Sequence, residues 1–113
     1  VLIDHRTYTV RPGTLPAQLD LYAKLGYPVQ LRYLGEPLYY LVAESGELNT
    51  LVHGWVYENA ADREAKRAKM AADPDWKHYL AESAKAGNVV SQRNVLMAPA
   101  PFAPPVSMPK IHR

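Results

Sequence analysis

Leu48 to Glu58 reads LNTLVHGWVYE. A strand sends successive side chains to opposite faces. Val52 and Val56, with Gly54 between them, therefore share one face, and Asn49, Leu51, His53, Trp55 and Tyr57 share the other. The valines suit a layer of helices. The aromatic and polar set is then expected to point away from the helices, onto a sheet face that one subunit leaves uncovered. Trp and Tyr bury large areas, so that face should not stay wet. The simplest cover is a second copy packed sheet against sheet about a two-fold axis, which needs one self-complementary patch.

Working outward, Ser45-Gly46-Glu47 is a turn and Leu38 to Glu44 a strand, forming an antiparallel hairpin with Leu48 to Glu58. Before it lies an irregular stretch ending at Pro37. Leu2 to Val10 is rich in β-formers and stops at Arg11-Pro12-Gly13. Thr14 is placed to cap a helix with Pro16 in its first turn and Leu15, Leu19, Tyr22 and Ala23 at helical spacing. Gly26 and Pro28 are expected to end it. Downstream, Asn59 caps an Ala-rich helix in which Asp62 and Lys66 stand at i,i+4. Its Ala61, Ala65, Ala68 and Ala72 predict close approach to a sheet. Asp73-Pro74 restarts the chain as a second cap, Trp76, Tyr79, Leu80, Ser83 and Ala84 make one face, and Gly87 closes the helix. Val89 to Met97 is a fourth strand.

The order β-α-β-β-α-β is the split βαβ arrangement. It predicts an α+β, ferredoxin-like fold with an antiparallel four-stranded sheet in the order 4-1-3-2 and all helices on one face. Residues 1–98 make the domain, and residues 99–113 a Pro-rich, extended tail. Phe102, the single Phe, should be its most buried residue, anchoring it on this domain or its partner.

Composition narrows the function classes. At 113 residues there is room for one domain, and 48% apolar with 21% charged residues reads as globular. The net charge of +2 and the lack of a basic stripe argue against nucleic acid as a partner. The absence of Cys excludes disulfides, thiolate metal sites and a cysteine nucleophile. His5, His53, His78 and His112 lie on different elements without ligand spacing, so no metal is expected. No apolar run approaches the roughly 20 residues of a membrane span. With no signal or transit peptide in view, a cytoplasmic location is expected.

Asp4-His5-Arg6-Thr7-Tyr8-Thr9-Val10-Arg11-Pro12-Gly13 resembles the opening of a NIPSNAP domain. Glu44-Ser45-Gly46 with Leu48-Asn49, His53-Gly54-Trp55-Val56-Tyr57, Asp62-Arg63, Asp73-Pro74-Asp75-Trp76 and Pro101-Phe102-Ala103-Pro104 continue the resemblance in order along the chain. It implies the dimeric α/β-barrel superfamily, a homodimer of face-to-face sheets, and an interior pocket in each subunit. It names no agreed biochemical activity, and no cofactor follows from it.

Two functions compete on this reading. One is binding or transforming a small organic metabolite in a pocket between sheet and helices or between sheets. The other is a non-catalytic dimeric scaffold. Whether the chain is an enzyme is left open. His53 is the candidate catalytic residue, as general base or ligand-orienting group; a hydrogen-bonded interior histidine is the plainer alternative. Trp55 and Tyr57 can stack a flat ligand or fill a dimer core. Asn49 can donate to a carbonyl or cap its turn. Arg6 and Tyr8 share a face with Asp4, and Arg6 is expected to bind a carboxylate, either Glu44, Asp4 or an acidic ligand. His5 points the other way, towards helix or solvent. Arg63, Lys66, Arg67 and Lys69 read as a solvated helix face.

Overall fold

The computed structural model describes residues 1–111. Its elements are β1 (Leu2–Val10), α1 (Leu15–Leu21), a π-helical turn (Tyr22–Gly26), α2 (Tyr27–Leu34), β2 (Tyr39–Val42), β3 (Thr50–Tyr57), α3 (Ala60–Ala72), α4 (Pro74–Ala86) and β4 (Val89–Met97). The sheet order is β2-β3-β1-β4, with every neighbouring pair antiparallel. This is the expected ferredoxin-like arrangement.

Local chemistry sets several boundaries as the sequence suggests. The Asn59 side chain accepts from Asp62 N–H at the start of α3, and the Asp73 side chain accepts from Asp75 N–H at the start of α4. Pro74 then occupies a position whose N–H would be unpaired anyway. Gly87, at φ 64°, closes α4 in the left-handed conformation that a side chain would disfavour.

The stretch after Gly26 departs from expectation. It is helix, not irregular chain, because the turn Tyr22–Gly26 widens and Tyr27 N–H bonds to Tyr22 C=O. Pro28 thus falls in the first turn of α2, where its ring and missing N–H are tolerated. The hairpin strands are shorter than expected, at Tyr39–Val42 and Thr50–Tyr57. Residues 43–49 form the connection, with Asn49 at φ 64°.

Register decides what each face carries. Arg6 pairs with His53 on one side and Asn94 on the other, and Tyr40 pairs with His53. Directly paired residues share a face, so Asp4, Arg6, Tyr8, Tyr40, His53, Trp55, Tyr57, Gln92 and Asn94 lie together. That face is the helix-covered one: Trp55 and Tyr57 pack into a core with Val29 and Leu34 of α2 and Met70 of α3. The expectation that the aromatic side of β3 points away from the helices is therefore corrected. Val29, Leu34 and Met70 supply the apolar layer against which Trp55 and Tyr57 bury. The uncovered face carries Ile3, His5, Thr7, Tyr39, Leu41, Val52, Val56, Val95 and Met97, of which Leu41, Val95 and Met97 are exposed.

α3 is corrected too. Ala61, Ala65, Ala68 and Ala72 are exposed, while Arg63, Lys66 and Arg67 are half-buried and Met70 is buried. Those four fall at i, i+3, i+4 and i+7, so the helix turns a basic stripe inward and its alanines outward.

Phe102 is 92% exposed in the subunit, so it does not anchor the tail on its own domain. The tail instead returns along Gly35, where an added Cβ would stand 2.6 Å from Lys110 C=O. Pro109 packs there as well, and Ile111 lines a groove with Arg32 and Tyr33 of α2. His112 lies outside the described residues.

Candidate functional site

Between sheet and helices lies a cavity of about 180 Å³. β1 supplies Arg6 and Tyr8, β2 Tyr40, β3 His53, the first helical region Gln18, Tyr22 and Gln30, α3 Arg67, and α4 Trp76 and Tyr79. Leu80, Ser83, Val89 and Gln92 line it as well, and they also line an open groove of about 410 Å³ between α4 and β4. The cavity thus adjoins the surface along the β4 edge.

His53 is 2% exposed. Trp55 Nε1–H donates to its Nδ1 at 2.7 Å. An indole nitrogen only donates, so Nδ1 must be the unprotonated nitrogen and Nε2 carries the proton. Nε2 has no partner among the described residues. Burial, followed by the positive charge of Arg6, pushes the imidazole pKa down to about 3. The ring is therefore neutral near pH 7. Its one basic lone pair is engaged by Trp55, and it offers an N–H.

The ring's surroundings are aromatic. Tyr40 stacks on His53 at 4.5 Å and 11°, and Tyr22 stacks on Tyr40 at 5.0 Å and 24°. Tyr8 meets His53 edge-on. Burial, then the neighbouring phenols, raises the pKa of Tyr22 and Tyr40, which stay neutral. Other buried polar groups in the wall pair with one another. Tyr22 O–H donates to Gln30 Oε1, Gln18 Nε2–H donates to the Tyr79 hydroxyl at 3.3 Å, and Asn88 Nδ2–H donates to Gln18 Oε1 at 3.4 Å.

Beneath the cavity sits Asp4, fully buried. Its Oδ2 accepts from Arg6 at 3.1 Å and from Arg63 Nε at 3.0 Å, and its Oδ1 accepts from Asn94 Nδ2 at 3.0 Å. Burial would raise the Asp4 pKa, but the Asn94 bond and the two guanidinium groups outweigh it and hold the pKa below its usual value. Arg6 Nε–H also donates to the Tyr8 hydroxyl at 3.1 Å.

Of the residues expected at a site, Arg6, Tyr8 and His53 come together on this wall. Trp55 acts through His53. Tyr57 is buried in the core, and its hydroxyl lacks a partner of hydrogen-bonding geometry although the Arg67 guanidinium lies near it. Glu44 is exposed in the hairpin connection and does not meet Arg6. Asn49 serves that connection, its carbonyl accepting from Val10 N–H at 2.9 Å. His5 lies on the uncovered face, where its Nδ1 hydrogen-bonds to the Tyr39 hydroxyl at 2.5 Å. Sequence reasoning missed Tyr22, Tyr40 and Arg67. Tyr40 was reachable by aligning the hairpin, and Arg67 by its spacing from buried Met70. Among the described residues no group of three or more His, Asp or Glu could hold a metal ion, and no helix is long and apolar enough to cross a membrane.

Comparison with known proteins fits this architecture. None of the curated proteins matches the chain. Among solved structures, a NIPSNAP family protein with unknown function from Agrobacterium tumefaciens is 33% identical, with a TM-score of 0.84 over 91% of this chain and 91% of that one. An uncharacterized NIPSNAP domain protein from Burkholderia xenovorans is 30% identical, with a TM-score of 0.86 over 93% of this chain and 100% of that one. An antibiotic biosynthesis monooxygenase at 17% identity, with a TM-score of 0.60 over 89% of this chain and 100% of that one, shares the fold alone, that of the dimeric α/β barrels. The NIPSNAP family pattern spans residues 3–104, and the chain belongs to the NIPSNAP family.

Proposed function

We propose that the chain binds a small organic metabolite in the cavity between its sheet and helices, and that it does so as a homodimer paired through the uncovered sheet face. The observation that carries the first part is the cavity itself, walled by Arg6, Tyr8, Tyr40 and His53, beside a buried His53 Nε2–H that has no partner among the described residues. Leaving such a donor unmade costs about 1–3 kcal/mol. A ligand acceptor seated beside Tyr40 and Tyr8 relieves that cost and gives the otherwise space-filling aromatic wall a purpose. In this reading His53 orients the ligand as a hydrogen-bond donor, because Trp55 holds the lone pair a general base would need. Native mass spectrometry of protein purified from its own host should show a co-purified small molecule. A bare mass, together with a high-resolution map in which only water meets His53 Nε2, would instead support the scaffold reading.

The dimer rests on the exposed Leu41, Val95 and Met97 beside Ile3 and Val52, an apolar sheet face with no helix over it. Light scattering should report twice the subunit mass, and Val95→Asp should shift it towards one. A stable monomer at micromolar concentration would sink this part.

A further inference from the structure

We infer that the ligand of this cavity is a small planar anion, such as an aromatic or conjugated carboxylate, with its charged group at Arg6 and Arg67. This inference rests on the binding reading above and specifies its chemistry.

The first support is an unbalanced charge. Arg6 and Arg63 both bond to Asp4 Oδ2, so a single carboxylate serves two guanidinium groups. Lys66 is matched by Asp62 at 3.1 Å. Arg67, on the same inward stripe, has no carboxylate within ion-pair distance among the described residues, and no acidic side chain lines the cavity. Three guanidinium groups against one carboxylate leave an excess of +2 beneath the helices. Arg63 and Arg67 keep part of their surface in water, but a local excess of positive charge partly screened by protein still attracts an anion. Guanidinium also matches the two oxygens of a carboxylate.

Shape and donors give the rest. The Tyr22, Tyr40 and His53 rings lie near parallel and form a layered wall, with Trp76 also lining the cavity. Planar ligands fit against such rings. Among the described residues His53 Nε2–H is an unpaired donor, and the Tyr8 hydroxyl, which accepts from Arg6, keeps its own proton to give. Cations find no acceptor of negative charge on this wall.

Benzoate and its neutral isostere benzamide test the idea by calorimetry on the full chain. Benzoate should bind about 10- to 100-fold more tightly than benzamide, as expected for a charge-assisted contact. Arg67→Gln should abolish that preference, and Arg67→Lys should keep part of it. Arg67 has no carboxylate partner among the described residues, but its guanidinium lies near the buried Tyr57 hydroxyl. Arg67→Gln should therefore lower the melting temperature, while Arg67→Lys keeps a cation there; binding is compared on folded protein of both variants. Equal binding of the two probes overturns the anion assignment and leaves the cavity as a neutral-ligand site. A preference for benzoate that survives Arg67→Gln in a folded protein overturns the assignment of Arg67. If neither probe binds at millimolar concentration, the aromatic-carboxylate class is excluded, and the mass spectrum alone decides the wider reading.

Discussion

Under its helices the sheet carries Asp4, Arg6, Tyr8 and His53; on its open side it carries Ile3, Val52, Val56, Val95 and Met97. A sheet with one wet face usually reads the other way, apolar inward and polar outward. Here the covered side holds ions and tyrosines around a cavity, while the apolar side has no helix over it and, beyond buried Val56 and Gly54, leaves Leu41, Val95 and Met97 exposed. The contrast separates two tasks. The covered face is built as a site, with most of its polar groups held by named neighbours and the His53 Nε2–H and Tyr57 hydroxyl left unpaired among the described residues. The open face is built as a surface for association.

Removing the carboxylate that organises the covered face is the severest way to break this contrast. Asp4→Ala leaves Arg6 and Arg63 without their shared counter-charge in a buried position. It should cost about 3–5 kcal/mol, read as a lower urea midpoint. A loss under about 1 kcal/mol would mean that water reaches the two guanidinium groups and that the network is peripheral.

On the open face, Tyr39 crosses Gly54 to reach His5. A Cβ on residue 54 would stand 2.5 Å from the Tyr39 ring. Gly54→Ala should therefore push the ring off the sheet, break its bond to His5 and cost about 1–3 kcal/mol. An unchanged melting temperature would show that the open face repacks freely.

Acid should separate the faces by pH. The unfolded His53 takes its proton near 6.5, and the folded one only near 3. Its contribution is complete above 6.5 and is lost as pH falls through that interval, with a slope approaching about 1.4 kcal/mol per pH unit. Asp4, whose pKa is also lowered, adds to the loss only below its ordinary value of 3.8. Urea titrations from pH 7 to pH 4 should show the His53 slope, and His53→Asn should flatten it. A parent protein with flat stability over that range would place His53 in contact with solvent.

The smallest effect is expected at Phe102. With 92% of its surface exposed, Phe102→Ala should change subunit stability by no more than about 0.5 kcal/mol. A larger loss, concentration-dependent, would sharpen the contrast by placing Phe102 against the partner copy.

Element order and helix caps were legible because each is written in adjacent residues: Asn59 with Asp62, Asp73 with Pro74, and Gly87. Arg6 with Asp4 was legible because residues two apart on a strand share a face. Which face the helices cover was not. Alternation in LNTLVHGWVYE groups His53 with Trp55 and Tyr57, but the side they take depends on Val29, Leu34 and Met70, far away in sequence. Arg67 was hidden by its charge, since a basic residue on a helix ordinarily faces water. Glu44 failed as a partner for Arg6 because the strand it was placed on ends at Val42.

The widened turn at Tyr22–Gly26 has a consequence for the phase of the helix that contains it. Gln18, Tyr22, Gly26, Gln30 and Leu34 are all buried, and they recur every fourth residue. At 3.6 residues per turn each step of four over-rotates by about 40°, so a regular helix would carry Leu34 about 160° away from Gln18. One extra residue in a π turn takes back about 100°. The turn works as a leap day inserted into a calendar that runs slightly fast. Deleting one residue between Ala23 and Leu25 would leave α1 in step and rotate α2 out of step. Val29 and Leu34 would swing off Trp55, while Tyr22 stayed over the cavity.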